Sequence, residues 1–159
     1  MYKRVLVPLD GSLVAEGILP FILQIAGPLD LAVVLLRVVP WRPPPAIERG
    51  SYSPVDDVPT SMDKAQAYLA EIVRGLDARG VRVETRVRYG DPARGILAAA
   101  DETGADLVAM TTHGRSGVGR LLFGSVAEAV LRRADIPVFL MRLTESTIGT
   151  EGTPWRRTA

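Results

Sequence analysis

Hydrophobic positions along this chain fall into two kinds of block that take turns. Short, nearly continuous apolar runs of strand length are separated by longer stretches whose apolar residues recur at helical spacing. Residues 3–9 (KRVLVPL) are the first run, typical of a strand covered on both faces. It ends in Asp10-Gly11-Ser12, a turn that can also cap a helix. Over 13–26, Val14, Ile18, Ile22 and Ile25 predict one helix, kinked at Pro20 and stopped by Gly27-Pro28. Residues 31–39 (LAVVLLRVV) predict a second buried strand. The rhythm lapses over 41–60, where five prolines and no periodicity predict a long mobile loop, an insertion by default and a lid over a ligand otherwise. Helical spacing resumes with Ala65, Leu69, Ile72, Val73 and Leu76 and stops at Gly80.

The second half repeats the alternation. Residues 81–89 (VRVETRVRY) alternate strictly, as a half-exposed edge strand does. Asp91-Pro92 is an N-cap followed by proline at the first helical position, and that helix turns Ile96, Leu97 and Ala100 inward before Gly104. Residues 106–112 are the fourth strand. Ser125 with Glu128 forms a capping-box pattern, which predicts a helix over 125–134 striped by Val126, Val130 and Ala134. Residues 136–142 (IPVFLMR) are the last strand, and Pro137 favours a sheet edge. Residues 144–159 are polar and aperiodic, a disordered tail behind a single domain spanning 1–143.

A β-α-β-α-β-α-β-α-β order calls for an α/β fold: a five-stranded parallel open sheet with helices on both faces. With right-handed crossovers and one reversal, the strand order is 3-2-1-4-5. That order sets strands 1 and 4 side by side at a topological switch point, outside whose carboxyl ends ligands of such sheets bind. Asp10 ends strand 1; Thr111, His113 and Gly114 end strand 4.

Composition narrows the chemistry. The 159 residues include no cysteine and one histidine, which excludes disulfides, thiolate chemistry and multi-histidine metal sites. A net charge of +1 with interspersed signs leaves no electrostatic footprint for nucleic acid. No stretch is apolar for long enough to span a bilayer, and no signal-peptide pattern is present, which sets a cytoplasmic expectation.

The stretch 106–128 carries most of the functional signal. A strand runs into a loop with Gly114, Gly117, Gly119 and Gly124, two arginines (Arg115 and Arg120) and a helix start, the ingredients of a phosphate cradle. It is not a Walker A loop, because Arg120-Leu121 stands where Lys-Ser/Thr is needed. It is not GxGxxG either, since Leu122 replaces the third glycine.

THGRSGVGRLLFGSVAEAVLRRADIPVFLMR resembles the C-terminal signature of the universal stress protein family, and VLVPLDGS and ADLVAM match its earlier segments in order. The resemblance covers residues 2–142 and implies an adenine nucleotide alpha hydrolase-like fold. Nucleotide-binding members carry G-x2-G-x9-G-[S/T]. Gly114 and Gly124-Ser125 match its second and third glycines, while Thr111 occupies the first. A threonine hydroxyl there can donate to a phosphate or ribose where glycine would offer only close backbone approach. By this resemblance Asp10 holds the ribose hydroxyls, the Val38 backbone reads adenine, and Pro8 and Met110 line the pocket. Gly114, Arg115, Gly124, Ser125 and Val126 embrace the phosphates. The resemblance implies ATP or another adenine nucleotide as the ligand, with any Mg2+ reaching Asp10 through the bound nucleotide.

Each residue also has a plainer reading. Asp10 and Ser125 are candidate helix caps, Val38 a core valine, and Arg115 and Arg120 solvated loop arginines. His113 belongs with the site as a loop-shaping residue, because no carboxylate in the sequence is set beside it for phosphotransfer. Three functions follow: a dimeric adenine-nucleotide-binding stress-response regulator with an unidentified protein partner, a slow ATPase or autokinase, and a scaffold that binds no nucleotide. The homodimer forms through 136–142, an apolar edge strand that needs covering.

Overall fold

β1 (Arg4–Pro8) lies at the centre of one parallel sheet, with β2 (Ala32–Pro40) on one side and β4 (Leu107–His113) on the other. β3 (Val83–Gly90) and β5 (Val138–Leu143) complete the order β3-β2-β1-β4-β5, as the alternation predicts. The computed structural model describes residues 1–41, 58–77, 79–113 and 124–143. Most of the expected loop 41–60, the expected tail 144–159, and the glycine-loop residues Gly114, Arg115, Gly117, Gly119 and Arg120 lie outside these. Registers are fixed by pairs such as Val7 with Leu35, Val38 with Arg88, and His113 with Leu143.

The apolar runs are continuous because each strand is buried from both sides. On one face Val5, Val7 and Leu9 meet α1 (Leu13–Glu16), α2 (Leu19–Ala26) and α3 (Val58–Asp77) through Ile18, Ile22, Leu69 and Ile72. On the other, Leu6, Val34, Leu36 and Val108 meet α4 (Pro92–Thr103) and α5 (Ser125–Arg133) through Ile96 and Val130. Each fully buried Val, Leu or Ile contributes about 1.5–3 kcal/mol, so the two-sided core is the main source of stability.

Three expectations change. The helix over 13–26 is two helices, separated at Gly17-Ile18 rather than kinked at Pro20. Pro20 sits in the first turn of α2, where a missing N–H costs nothing. Gly17 has a steric reason, since a Cβ there would collide with Leu143 at the end of β5. The third helix begins at Val58, so 58–60 are helical rather than loop. Strand 4 starts at Leu107, although the Asp106 N–H just before it still donates to the Arg4 carbonyl (3.0 Å).

Asp106 holds the start of β1. Its Oδ2 accepts from the Lys3 N–H (2.8 Å) and its Oδ1 from the Arg4 N–H (3.0 Å). Partial burial pushes this carboxyl up, but those backbone N–H groups outweigh it and hold it below its ordinary value. Asp106→Ala is expected to cost about 2 kcal/mol, two charge-assisted bonds discounted for solvent exposure. A depressed carboxyl contributes above its unfolded pKa, near ~4, and loses that contribution as pH falls through the lower folded value. Urea unfolding from neutral pH downward should therefore show the two proteins converging in stability in acid.

Candidate functional site

β1 and β4 are neighbours followed by helices on opposite faces of the sheet, α1 and α5, so their carboxyl ends form the switch point outside which sheets of this kind bind ligands. From β1 comes the Asp10-Gly11-Ser12 turn. Asp10 Oδ1 accepts from the Ser12 N–H (2.9 Å) and the Ser12 hydroxyl (2.6 Å). The Ser12 Oγ in turn accepts from the Ala15 N–H at 3.1 Å, so Ser12, not Asp10, is the N-cap of α1. Asp10 is exposed, and among the described residues its Oδ2 makes no hydrogen bond. Gly11 takes φ +83°, which lets the turn reverse without a Cβ.

β2 contributes Val38, 9% exposed, and β4 contributes Met110, 7% exposed. Both belong to the core on the α4 and α5 side, and Val126 from the first turn of α5 packs against the same cluster. Pro8, half-buried, follows Leu6 on that face. α4 lies close over Val38, because a Cβ at Gly95 would sit 2.9 Å from Val38 Cγ2. Thr111, half-buried, alternates with Met110 and so projects from the opposite face of β4. His113 ends β4, its backbone in register with Leu143.

The Val38 main chain has a property that the side chain hides. The carbonyl of Leu36 accepts from the Leu9 N–H (2.8 Å), so even-numbered β2 residues point their polar groups at β1. Odd-numbered ones serve β3, as in Val33 N–H to Arg82 O at 2.9 Å. By alternation the Val38 N–H and C=O face the β1 side, beyond its last rung, and take no backbone partner among the described residues.

Opposite Asp10, α5 begins differently from the capping-box expectation. Ser125 is its first residue, not its cap; the N-cap is Gly124, at φ 75° and ψ 147°, with no side-chain hydrogen bond. The first intrahelical bond runs from the Glu128 N–H to the Gly124 carbonyl (3.0 Å), so the Ser125 and Val126 N–H groups before it have no helical acceptor. Glu128 does not reach back, since its carboxylate pairs with Arg132 at 2.7 Å. The exposed Ser125 hydroxyl is therefore not used in capping.

Three polar residues under the Asp10 turn carry no motif in the sequence. Arg37 Nη1 donates to the Leu9 carbonyl (3.3 Å), and its guanidinium lies 3.6–3.8 Å from where a Gly11 Cβ would be. The Tyr68 hydroxyl of α3 donates to Oε1 of Glu16 (3.1 Å), a carboxylate buried to 1% exposure. Burial first, then the Glu16 charge and hydrogen bond, push the Tyr68 hydroxyl far above its ordinary value; Arg37 opposes this and Asp10 adds to it. The available signal was a charge inside an apolar run, Arg37 in LLRVV and Glu16 among Val14, Ala15 and Ile18.

Tyr68→Phe removes one donor from a buried carboxylate and is expected to cost about 1–2 kcal/mol at neutral pH. A raised phenol contributes fully below its unfolded pKa of about 10 and loses that contribution as pH rises toward the folded value. The wild-type stability should fall more steeply above that pH than the variant's, measured by urea unfolding.

Among the described residues, no three His, Cys, Asp or Glu side chains group to hold a metal ion, and no helix is long and apolar enough to cross a membrane. Among the described residues the switch point thus offers a carboxylate oxygen, a strand-end peptide and a helix start that take no partner.

Comparison with known proteins agrees with this arrangement. The sequence model of the universal stress protein family matches residues 1–142. A universal stress protein of Methanocaldococcus jannaschii is 31% identical over 143 residues, which is 89% of this chain and 83% of that one. A solved protein of the family from Burkholderia pseudomallei is similar with a TM-score of 0.68 at 30% identity, over 88% of this chain and 96% of that one. A universal stress protein solved in complex with cAMP gives a TM-score of 0.62 at 26% identity, over 88% and 96%. The sheet order, the crevice where its direction reverses, and a match along nearly the whole described chain have one meaning: this protein belongs to the universal stress protein family.

Proposed function

We propose that the crevice binds an adenine nucleotide and that its occupancy regulates a dimeric protein's engagement of a partner protein. The observation that carries this reading is the Asp10 carboxylate oxygen at the end of β1, at the same switch point as the start of α5, both without a partner among the described residues. An acceptor for vicinal hydroxyls and donors for an oxyanion are the two ends of a nucleoside phosphate. The complex of a related protein with cAMP supports the same ligand class.

In this reading Asp10 accepts from the ribose hydroxyls, and the Val38 N–H and C=O take the base edge. Pro8 and Met110 form its apolar wall. The Gly124–Val126 backbone and the Ser125 hydroxyl donate to phosphate, joined by Gly114 and Arg115. Thr111 and His113 shape the loop leaving β4. Because Thr111 alternates with Met110, its side chain does not fill the base pocket. One carboxylate suits a magnesium ion held chiefly by the nucleotide's own phosphates, which would supply charge neutralisation there.

Titration calorimetry with ATP, ADP, AMP and cyclic AMP tests the reading, together with mass identification of nucleotide released on denaturation. No heat at millimolar ligand and no released nucleotide would end it.

The dimer is a separate prediction. Among the described residues β5 pairs only with β4, so its outer edge could pair with a second copy, which would cover Val138–Leu143 in a two-fold pairing. Light scattering at micromolar concentration should give twice the chain mass, and a monomer would overturn it.

A further inference from the structure

The parallel ladder between β1 and β2 has one more rung available than it uses. After Leu9 N–H to Leu36 O at 2.8 Å, the next bond in register is from the Val38 N–H to the Leu9 carbonyl. That bond is not formed. The Leu9 carbonyl accepts instead from Arg37 Nη1 at 3.3 Å, and the guanidinium lies against the Gly11 turn, where glycine leaves room for it. The arginine thus occupies the acceptor that would otherwise close over the Val38 N–H. An unpaired strand-end peptide is costly unless something uses it, so a residue that keeps it open points to a ligand that does.

We propose that Arg37 is a positioning residue for the base: it caps the Leu9 carbonyl, ends the ladder there, and keeps the Val38 N–H and C=O available to a ligand's base edge. This rests on the nucleotide reading above and adds to it the element that sets base recognition apart from ribose and phosphate recognition. Arg37 does not touch the base in this scheme. It acts through the Leu9 carbonyl. Methionine at position 37 keeps the packed stem and removes the donors, so Val38 can close on Leu9 and extend the ladder by one rung.

Two measurements on the full chain decide it. The first is amide hydrogen exchange at Val38 by NMR in the ligand-free protein. Arg37→Met should protect that amide about tenfold or more over wild type, the effect of one gained hydrogen bond. Arg37→Lys, which keeps a donor, should stay near wild type. The second is calorimetry with AMP and with ribose 5-phosphate, which carries a hydroxyl in place of the base. Arg37→Met should weaken AMP about tenfold and leave ribose 5-phosphate unchanged.

A general destabilisation would weaken both ligands alike, and that result overturns the proposal. So does a Val38 amide that exchanges equally fast in wild type and Arg37→Met. If wild type binds neither AMP nor ribose 5-phosphate, the nucleotide reading fails and takes the base-positioning role with it. Exchange at Val38 would still show whether the arginine terminates the ladder.

Discussion

Asp10→Ala is expected to lower adenine-nucleotide affinity by about a hundredfold while changing stability by less than about 1 kcal/mol. The two numbers separate because the carboxylate does two unequal things. Toward the protein, Oδ1 accepts from the Ser12 N–H and hydroxyl in an exposed turn, and Ser12 still caps α1 without it. Toward a ligand, the carboxylate would accept from two vicinal ribose hydroxyls, each a charge-assisted bond that is stronger than a neutral one. Asp10→Asn is the informative companion. It keeps an acceptor for the turn but removes the charge, so its affinity should fall between those of wild type and alanine. Deoxygenated ligands sharpen the test: wild type should lose affinity for a 2′-deoxynucleotide, and Asp10→Ala should not discriminate it from the ribonucleotide. Equal affinity of wild type and Asp10→Ala for AMP would remove Asp10 from the site.

The sheet could be read from the chain because its cause is local. Runs such as VLVPL and AVVLLRVV have the length and valine content of strands buried on both faces, and alternation with helical stretches leaves few topologies. Asp91-Pro92 and Gly104 delimit α4 as written, the aspartate Oδ1 accepting from the Arg94 N–H at 2.8 Å and Gly104 taking φ 63°. What could not be read depends on distant atoms. Between the two helices position 17 must be glycine because Leu143, more than a hundred residues later, occupies the space of its Cβ. Ser125-x-x-Glu128 has the pattern of a capping box, yet Gly124 enters the helix at a φ open chiefly to glycine, and Glu128 finds Arg132 instead. Arg37 was hidden for the same reason. Its partner is a backbone carbonyl on another strand, which no spacing along the chain reveals. Asp10 and Gly124 were legible as candidates through topology; that the Asp10 Oδ2 and the Ser125 hydroxyl take no partner among the described residues was not.

Gly124→Ala should produce the other large effect, and its selectivity is the point. At φ 75° and ψ 147° the residue lies at the border of a region that side-chain-bearing residues scarcely enter, at a cost of about 1–3 kcal/mol. The cost expected is that of the backbone, because no described residue lies within 4 Å of an added Cβ. An alanine can escape it only by rotating out of this conformation, which moves the start of α5 and re-aims the Ser125 and Val126 N–H groups. Ligands with phosphate should then bind at least about tenfold more weakly, the worth of one or two misdirected donors to an oxyanion. Adenosine, which has no phosphate, should bind as to wild type. Gly104→Ala is the control, since φ 63° and ψ 35° there is the milder left-handed well and the residue leads into the opposite end of β4. It should lower stability by about 1 kcal/mol and leave binding unchanged. If Gly124→Ala weakened adenosine as much as AMP, the helix start would not be the phosphate end of the site. If it weakened neither, the glycine would serve the turn alone.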